Sequence, residues 1–368
     1  MRTKSKIPFI LSLVSILFYF SSLKAEIKVV VSIKPIHSLV SYIMDGVGTP
    51  DLIVDGYNSP HGFSLKPSHA KMLQEADMVV YVGEGIEEFL EKPLESISKN
   101  SVKFELMDQS GIKKLKFRER NIFGDHDDHD DHGHGKKKKD DHDDHDDHDK
   151  KAKKEDHDDH DDHDKKAKKE DHDDHDDHDH DKKAKKDDHD DHGHDDHGHG
   201  HGEFDPHIWL DPMNAKTIVK KVTNQLSKLD KENSAIYKAN SKKALKELDQ
   251  MIKEVKSDVN KDAKVVVFHD AYQYFEKRFK VNIIGALTVN TDVLPGAEQL
   301  AEIREVIEHE KVTCVLSEPQ FNPDIVETIA KDTNINMGVL DPLGATLTKG
   351  KTLYFDLIKN ISLSIKNC

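Results

Sequence analysis

One histidine stands apart in the stretch Phe-Asp-Pro-His-Ile-Trp-Leu-Asp-Pro, which covers residues 204–212. His207 lies between two Asp-Pro steps and two residues before Trp209, the single tryptophan of the chain. Proline fixes its own φ and restrains the residue before it, so the stretch predicts a stiff turn that holds the imidazole in place. A held imidazole is suited to binding a metal ion. A turn histidine that satisfies a local hydrogen bond would give the same pattern.

Three further residues are candidates for the same site, because each follows a predicted strand. His269 comes directly after the apolar run at 265–268, and Asp341 directly after the run at 337–340. His61 lies in the loop that follows the second predicted strand. In open α/β sheets ligands bind at the carboxyl ends of strands, so we expect these side chains to meet there.

Three neutral imidazoles, with a carboxylate or water in the fourth position, form a tetrahedral set that suits zinc. Each histidine could instead satisfy a backbone carbonyl, and Asp341 could be a turn residue before Pro342. The other three histidines outside the histidine-rich run fall within predicted helices, where we expect them to face solvent: His37, His69 and His309.

The elements that must position these residues alternate between strand and helix. Apolar runs predict strands at 27–32, 51–54, 78–82, 102–106, 265–268, 281–286, 312–316 and 336–340. Helices are predicted at 35–45, 86–97, 271–279, 295–310, 323–331 and 353–365. Pro35 suits a first helical position and Ser68 an N-cap. The stretch 234–260 lacks proline and glycine and predicts one long helix.

This alternation predicts an α/β fold in two lobes, each with a mostly parallel sheet flanked by helices, joined by one long rigid helix. The expected order is a signal peptide at 1–25, an N-terminal lobe at 26–124, a disordered loop at 125–202, the end of the N-terminal lobe at 203–232, a linking helix at 233–261 and a C-terminal lobe at 262–368.

The run at 125–202 holds 20 of the 26 histidines, with 33 acidic and 16 basic residues. Its unit DHDDHDDHDKKAKKE at 141–155 recurs at 156–170. The repeats offer no apolar residue beyond single alanines, so stacking them would bury nothing and we predict disorder. The rest of the chain has 39 basic and 38 acidic residues. A nearly neutral folded part argues against a nucleic-acid partner.

The two ends of the chain point to export. Residues 1–25 have a basic beginning, an apolar stretch at 7–20 and Ala25 at a plausible cleavage point, which predicts a cleavable signal peptide and a periplasmic protein. The only cysteines are Cys314 and Cys368. In an oxidising compartment we expect such a pair to join, the alternative being two free thiols.

Seven segments resemble the zinc-specific solute-binding proteins of bacterial ABC importers, the ZnuA type: VSIKPIHSLV, PHGFSLKPSHAKMLQEADMVVYVGEGIEEFLEK, DPHIWLDPMNA, VVVFHDAYQYFEKRF, LPGAEQLAEI, CVLSEPQFNP and GVLDPLG. The resemblance covers essentially the whole mature chain, and the histidine-rich run stands where that family carries a variable metal-rich loop. It implies two α/β lobes joined by a rigid helix, with the metal in the cleft between them.

The resemblance also implies the site residues. The ligands would be His61, His207 and His269, with Asp341, water or a neighbouring carboxylate in the fourth position. Some relatives have a glutamate just before the first histidine, whereas this chain has Pro60. Where family members usually have an aspartate, this chain has a histidine at position 69. The family's C-terminal disulfide would join the two cysteines.

Together these features predict a non-enzymatic, monomeric periplasmic protein that captures Zn²⁺ and delivers it to an ABC transporter membrane permease. The run would collect or sense zinc, or act only as a solvated spacer. One alternative is a manganese- or iron-binding protein of the same fold, although those harder ions favour more oxygen ligands. Another is a zinc hydrolase, with Glu318 or Asp341 as its base.

Overall fold

The computed structural model describes residues 26–123, 203–289, 291 and 293–368. The predicted signal peptide at 1–25 and the predicted disordered loop at 125–202 lie outside the described residues. Within the described part, no helix has the length and apolar character needed to cross a membrane.

Two four-stranded sheets, parallel throughout, form the centre of the fold. The first contains β1 (Val29–Ile33), β2 (Asp51–Val54), β3 (Met78–Tyr81) and β4 (Val102–Glu105), in the order β2-β1-β3-β4. The second contains β5 (Lys264–His269), β6 (Asn282–Thr288), β7 (Cys314–Ser317) and β8 (Asn336–Val339), in the order β6-β5-β7-β8. Every residue of β1 is buried, as expected for a strand of a parallel sheet covered on both faces. The predicted α/β fold with two parallel sheets is confirmed.

Ten α-helices of the described residues flank the sheets: α1 (Lys34–Met44), α2 (Pro67–Glu75), α3 (Glu84–Glu87), α4 (Glu91–Ser96), α5 (Pro212–Leu229), α6 (Ser234–Asp258), α7 (Gln273–Phe279), α8 (Ala297–Glu310), α9 (Asp324–Thr333) and α10 (Leu353–Lys366). Short 3₁₀ turns occupy Glu88–Leu90 and Ile208–Leu210.

The long helix α6 leads from the helices of the first sheet to β5 of the second. One face of α6 is buried, with Tyr237, Ala244, Leu248, Met251 and Val255 at helical spacing. This face packs against α1, α5 and α10, which supports a helix of 25 residues.

The two predicted lobes exchange elements. The last helix, α10, belongs to the predicted C-terminal lobe but packs against α1 and α6, and the Tyr354 backbone N–H donates to Ser38 Oγ at 2.9 Å. The buried Lys34 Nζ at the start of α1 donates to the carbonyls of Ala345 and Leu347 at 3.0 and 2.9 Å. These contacts hold the end of the chain against the first sheet.

Two local predictions are wrong. The helix expected at 86–97 is broken into α3, a 3₁₀ turn and α4, and Pro93, which cannot donate a backbone hydrogen bond, lies in the first turn of α4. Ser68 is not an N-cap, because α2 begins at Pro67 and its N-cap is Lys66. Proline suits the first helical position, so it moves the helix start one residue earlier.

The expectation that three helical histidines face solvent holds only for His309, whose side chain is 85% exposed. His37 is buried, and its Nε2 donates to the Pro50 carbonyl at 2.9 Å. His69 is also buried: its Nδ1 accepts from the Lys66 backbone N–H at 3.1 Å, and its ring stacks on Phe63. Both buried rings satisfy local backbone groups.

The predicted disulfide between Cys314 and Cys368 is present, with a Cα–Cα distance of 5.4 Å. It ties the last residue of the chain to the first residue of β7.

Candidate metal centre

His207 is fixed by the carboxylate two residues before it. Asp205 Oδ1 accepts from the backbone N–H of His207 at 2.9 Å and from its ring Nδ1 at 2.8 Å. Tyr274 Oη donates to the Asp205 carbonyl at 2.7 Å, and Trp209 Nε1 donates to the Pro342 carbonyl at 2.8 Å. The predicted stiff turn is therefore held at both ends, and Nε2 is the ring atom left for a ligand.

His269 is the last residue of β5, where the sequence had placed it one residue beyond the strand. Its Nδ1 donates to Glu318 Oε1 at 2.6 Å. Glu318 directly follows β7, which pairs in parallel with β5, so the two residues meet at adjacent strand ends. The sequence alone offers Glu318 only as the base of a hydrolase. Its position two residues after the predicted strand at 312–316 is the signal for its role beside His269.

His61 comes from the loop after β2, next to Gly62, whose φ is +66°. This left-handed conformation favours glycine and turns the loop towards the second sheet. The His61 ring centroid lies 5.7 Å from that of His207 and 5.9 Å from that of His269. The loop thus brings a third imidazole to a place that the other two already define.

The three histidines form one group. Each offers a ring nitrogen, and these atoms all lie within 4.8 Å of one another, with the Nε2 atoms of His207 and His269 3.4 Å apart. His207 and His269 are buried, and His61 is half-buried. Three imidazole nitrogens that converge in this way match the donor set of a tetrahedral zinc site with one further position.

The electrostatics of the group suit a cation. Burial and the neighbouring His269 hold the pKa of His207 well below its ordinary value, so His207 is a neutral donor. Burial alone would lower the pKa of His269, but the Glu318 carboxylate raises it above its ordinary value. Burial also raises the pKa of Asp205 to about 7 and that of Glu318. A divalent cation at the imidazoles would offset the buried negative charge of the two carboxylates.

Asp341 lies elsewhere in the hydrogen-bond network. Its carboxylate accepts from the backbone N–H groups of Leu343, Gly344 and Ala345 at 3.0, 2.9 and 2.6 Å, and from Gln320 Nε2 at 2.9 Å. These bonds close the turn after β8, which is the turn role left open by the sequence. The ligand role of Asp341 stays a prediction, whereas the three histidines are grouped in the structure.

The segment that follows the run pairs with residues 115–117 close to this group. Phe117 N–H donates to the Glu203 carbonyl at 3.4 Å, and Asp205 N–H donates to the Leu115 carbonyl at 2.8 Å. Lys116 pairs with Glu203 at 3.3 Å. Residues 115–117 and 203–205 are therefore joined up to two residues before His207.

Comparison with known proteins identifies the family. The profile of the family described as zinc-uptake complex component A, periplasmic, or ZnuA, matches residues 29–368. The chain belongs to this family. A relative from Brucella abortus (strain 2308) named "High-affinity zinc uptake system protein ZnuA" is 43% identical over 354 residues, which cover 95% of this chain and 94% of the relative. A relative of the same name from Haemophilus influenzae is 37% identical over 360 residues, covering 97% of each chain.

Solved structures agree on the fold. The structure described as "Crystal structure of ZnuA" superposes with a TM-score of 0.65 at 20% identity, over 94% of this chain and 99% of that chain. The resemblance read from the seven sequence segments is confirmed. The ZnuA family consists of solute-binding proteins and not of enzymes, in line with the prediction of a non-enzymatic protein.

Proposed function

We propose that this protein is the zinc-binding component of a high-affinity zinc uptake system and that it holds Zn²⁺ with His61, His207 and His269. The observation that carries the proposal is the convergence of three imidazole nitrogens within 4.8 Å from three separate parts of the chain. Family membership supports zinc as the cargo. Three nitrogen donors suit zinc better than they suit manganese or iron, which favour more oxygen ligands.

Capture and release would follow from the donor set. Because His207 and His269 each give Nδ1–H to a buried carboxylate, their Nε2 lone pairs are oriented before the metal arrives, and little reordering is needed on binding. Water or a carboxylate would complete the tetrahedron. Delivery to an ABC permease then requires that at least one of the three nitrogen contacts is broken.

The proposed setting is the periplasm, which agrees with the periplasmic description of the family. Residues 1–25 would act as a cleavable signal peptide, and the mature protein would work as a monomer. Residues 125–202 would collect zinc for the site, because a tethered ligand has a raised local concentration. The pairing of Leu115 and Phe117 with the segment at 203–205 supports this role, since it holds the segment that directly follows the run beside His207.

Zinc titration of the purified protein tests the site. We expect His207→Ala and His269→Ala each to abolish the tight zinc site, because each removes one of three nitrogen donors, while His309→Ala, an exposed helical histidine, leaves it intact. Zinc bound loosely by the run would remain in all three variants. A tight site that survives in His207→Ala would refute the proposed ligand set.

Deletion of residues 125–202 tests the collector separately. We expect one tight zinc site to remain, with fewer zinc ions bound in total and slower growth when zinc is scarce. If the total number of bound zinc ions and the growth are unchanged, the run acts only as a spacer. That outcome would leave the proposal for the three histidines unaffected.

A further inference from the structure

Residues 118–123, here called the strap, cross from the paired segment at 115–117 to the second sheet. The Phe123 N–H donates to the Ile284 carbonyl at 2.8 Å, and the Ala286 N–H donates to the Asn121 carbonyl at 2.8 Å. Asn121 Nδ2 also donates to the Leu287 carbonyl at 2.9 Å. The strap therefore pairs with β6, an edge strand of that sheet, although the sequence assigned it to the N-terminal lobe.

Arg118 fastens the first residue of the strap to the segment that follows His269, up to α7. Its Nη1 lies 3.0 Å from Asp270 Oδ1, and its Nη2 bonds the Glu276 carboxylate. The guanidinium also stacks 3.8 Å above the ring of Phe123. The Arg118 side chain is 12% exposed, so these charge-assisted contacts are shielded from solvent.

The strap also borders the approach to the metal centre. A cavity of about 440 Å³ is lined by all three histidines of the group, by residues 116–119, and by Val289 and Thr291. Arg118 and Asp270 both belong to this lining. A cation that passes between solvent and the imidazoles through this cavity would therefore pass the Arg118 contacts.

We propose that the strap is a gate on zinc exchange and that the Arg118 contacts with Asp270 and Glu276 are its latch. The inference rests on the proposed zinc site. Wide separation of the sheets is opposed by α6, by α10 and by the Lys34 contacts with the end of the chain. Release of the strap instead changes one wall of the cavity and leaves the carboxylate partners of His207 and His269 in place.

Two variants test the gate by different routes. Arg118→Met removes the latch. Gly285→Ala acts on the strap without touching a charge, because a Cβ at this position would lie 2.6 Å from the Asn121 carbonyl oxygen and would displace the strap from β6. Arg120→Met is the matched control, since Arg120 is an exposed arginine of the same strap.

The measurement follows zinc release from the full mature chain into an excess of a chromogenic chelator, with the dissociation constant obtained by competition. The slow phase that disappears in His207→Ala reports the tight site. We expect both Arg118→Met and Gly285→Ala to speed release and association by about tenfold, the scale of losing a charge-assisted contact, while the dissociation constant changes far less. Arg120→Met should match the wild type.

A gate and a distorted site give different kinetics. Faster release with unchanged association, and hence a proportionally weaker dissociation constant, would assign Arg118 to positioning of the site and overturn the gate. Rates equal to those of Arg120→Met in both variants would also overturn it. If Arg118→Met does not fold, Gly285→Ala alone decides. A wild-type chain without any slow phase would contradict the proposed function itself, which is a separate outcome.

Discussion

At the scale of single residues, the metal centre depends on which ring nitrogen of each histidine carries the proton. In His207 and His269 the Nδ1–H group points to a buried carboxylate, Asp205 and Glu318 respectively. This fixes the neutral tautomer whose Nε2 has a free lone pair, and it makes that lone pair a better donor. The two carboxylates thus belong to the site although they do not face its centre.

Glu318→Gln tests this support. Glutamine keeps the size of the side chain and can still accept from Nδ1–H, but it removes the negative charge beside His269. We expect zinc affinity to fall about 10- to 100-fold, the usual cost of losing such a partner, as measured by competition with a chelator of known affinity. Glu305→Gln on the exposed side of α8 is the control. Equal affinities in the two variants would contradict the role of Glu318.

At the scale of elements, chemistry collects where parallel strands end. The first sheet shows this with a buried carboxylate of its own. Glu87 in α3 accepts from Ser32 Oγ at 2.5 Å and from the backbone N–H groups of Val82 and Gly83 at 2.9 Å. Glu87 thereby joins the residues at the ends of β1 and β3. It does so from α3, whereas the sequence predicted a single helix over 86–97.

Glu87 should make stability depend on pH. Burial raises its pKa from 4.5 to about 7, against the effect of its three hydrogen-bond donors. Between these values the folded chain keeps a proton that the unfolded chain has lost, so the free energy of unfolding falls as pH rises through this window. Glu87→Gln cannot ionise. Between about pH 5 and pH 8 we expect the free energy of unfolding of this variant to fall by roughly 2 to 3 kcal/mol less than that of the wild type.

Urea unfolding of the metal-free proteins at several pH values measures this difference. Glu91→Gln, at an exposed position a few residues away, should follow the wild-type curve. Parallel curves for wild type and Glu87→Gln would mean that Glu87 is already ionised in the folded protein at low pH.

Sequence patterns predicted most of these elements because buried parallel strands are short, apolar and β-branched. All eight strands lie within two residues of their predicted bounds. The partner of His269 was not predictable in the same way, since Glu318 lies 49 residues away and meets it only because β5 and β7 are neighbours. Strand order is a property of the whole sheet, and the hydrophobic periodicity of one segment does not predict which strands become its neighbours. The strap was missed for the same reason.

At the scale of the whole molecule, the metal centre and the disulfide lie at opposite ends of the strands of the second sheet. His269 ends β5 and Glu318 follows the end of β7, whereas Cys314 begins β7. Because the strands are parallel, the bond from Cys314 to Cys368 lies at the amino-terminal ends of the strands, away from His269. It fastens α10, which packs against α1 and α6, to the sheet that carries His269.

Removing the disulfide should therefore lower stability without weakening zinc binding. The bond closes a segment with a sequence separation of 54, and a loop of this size contributes about 4 kcal/mol in the chain-entropy model. We expect Cys314→Ser/Cys368→Ser to lose about that free energy of unfolding in urea, with a zinc dissociation constant close to that of the wild type. The single variant Cys368→Ser should lose as much, because it breaks the same bond. A large loss of zinc affinity in folded protein would contradict this expectation. It would show that the position of α10, at the disulfide end of the strands, affects zinc binding at their other end.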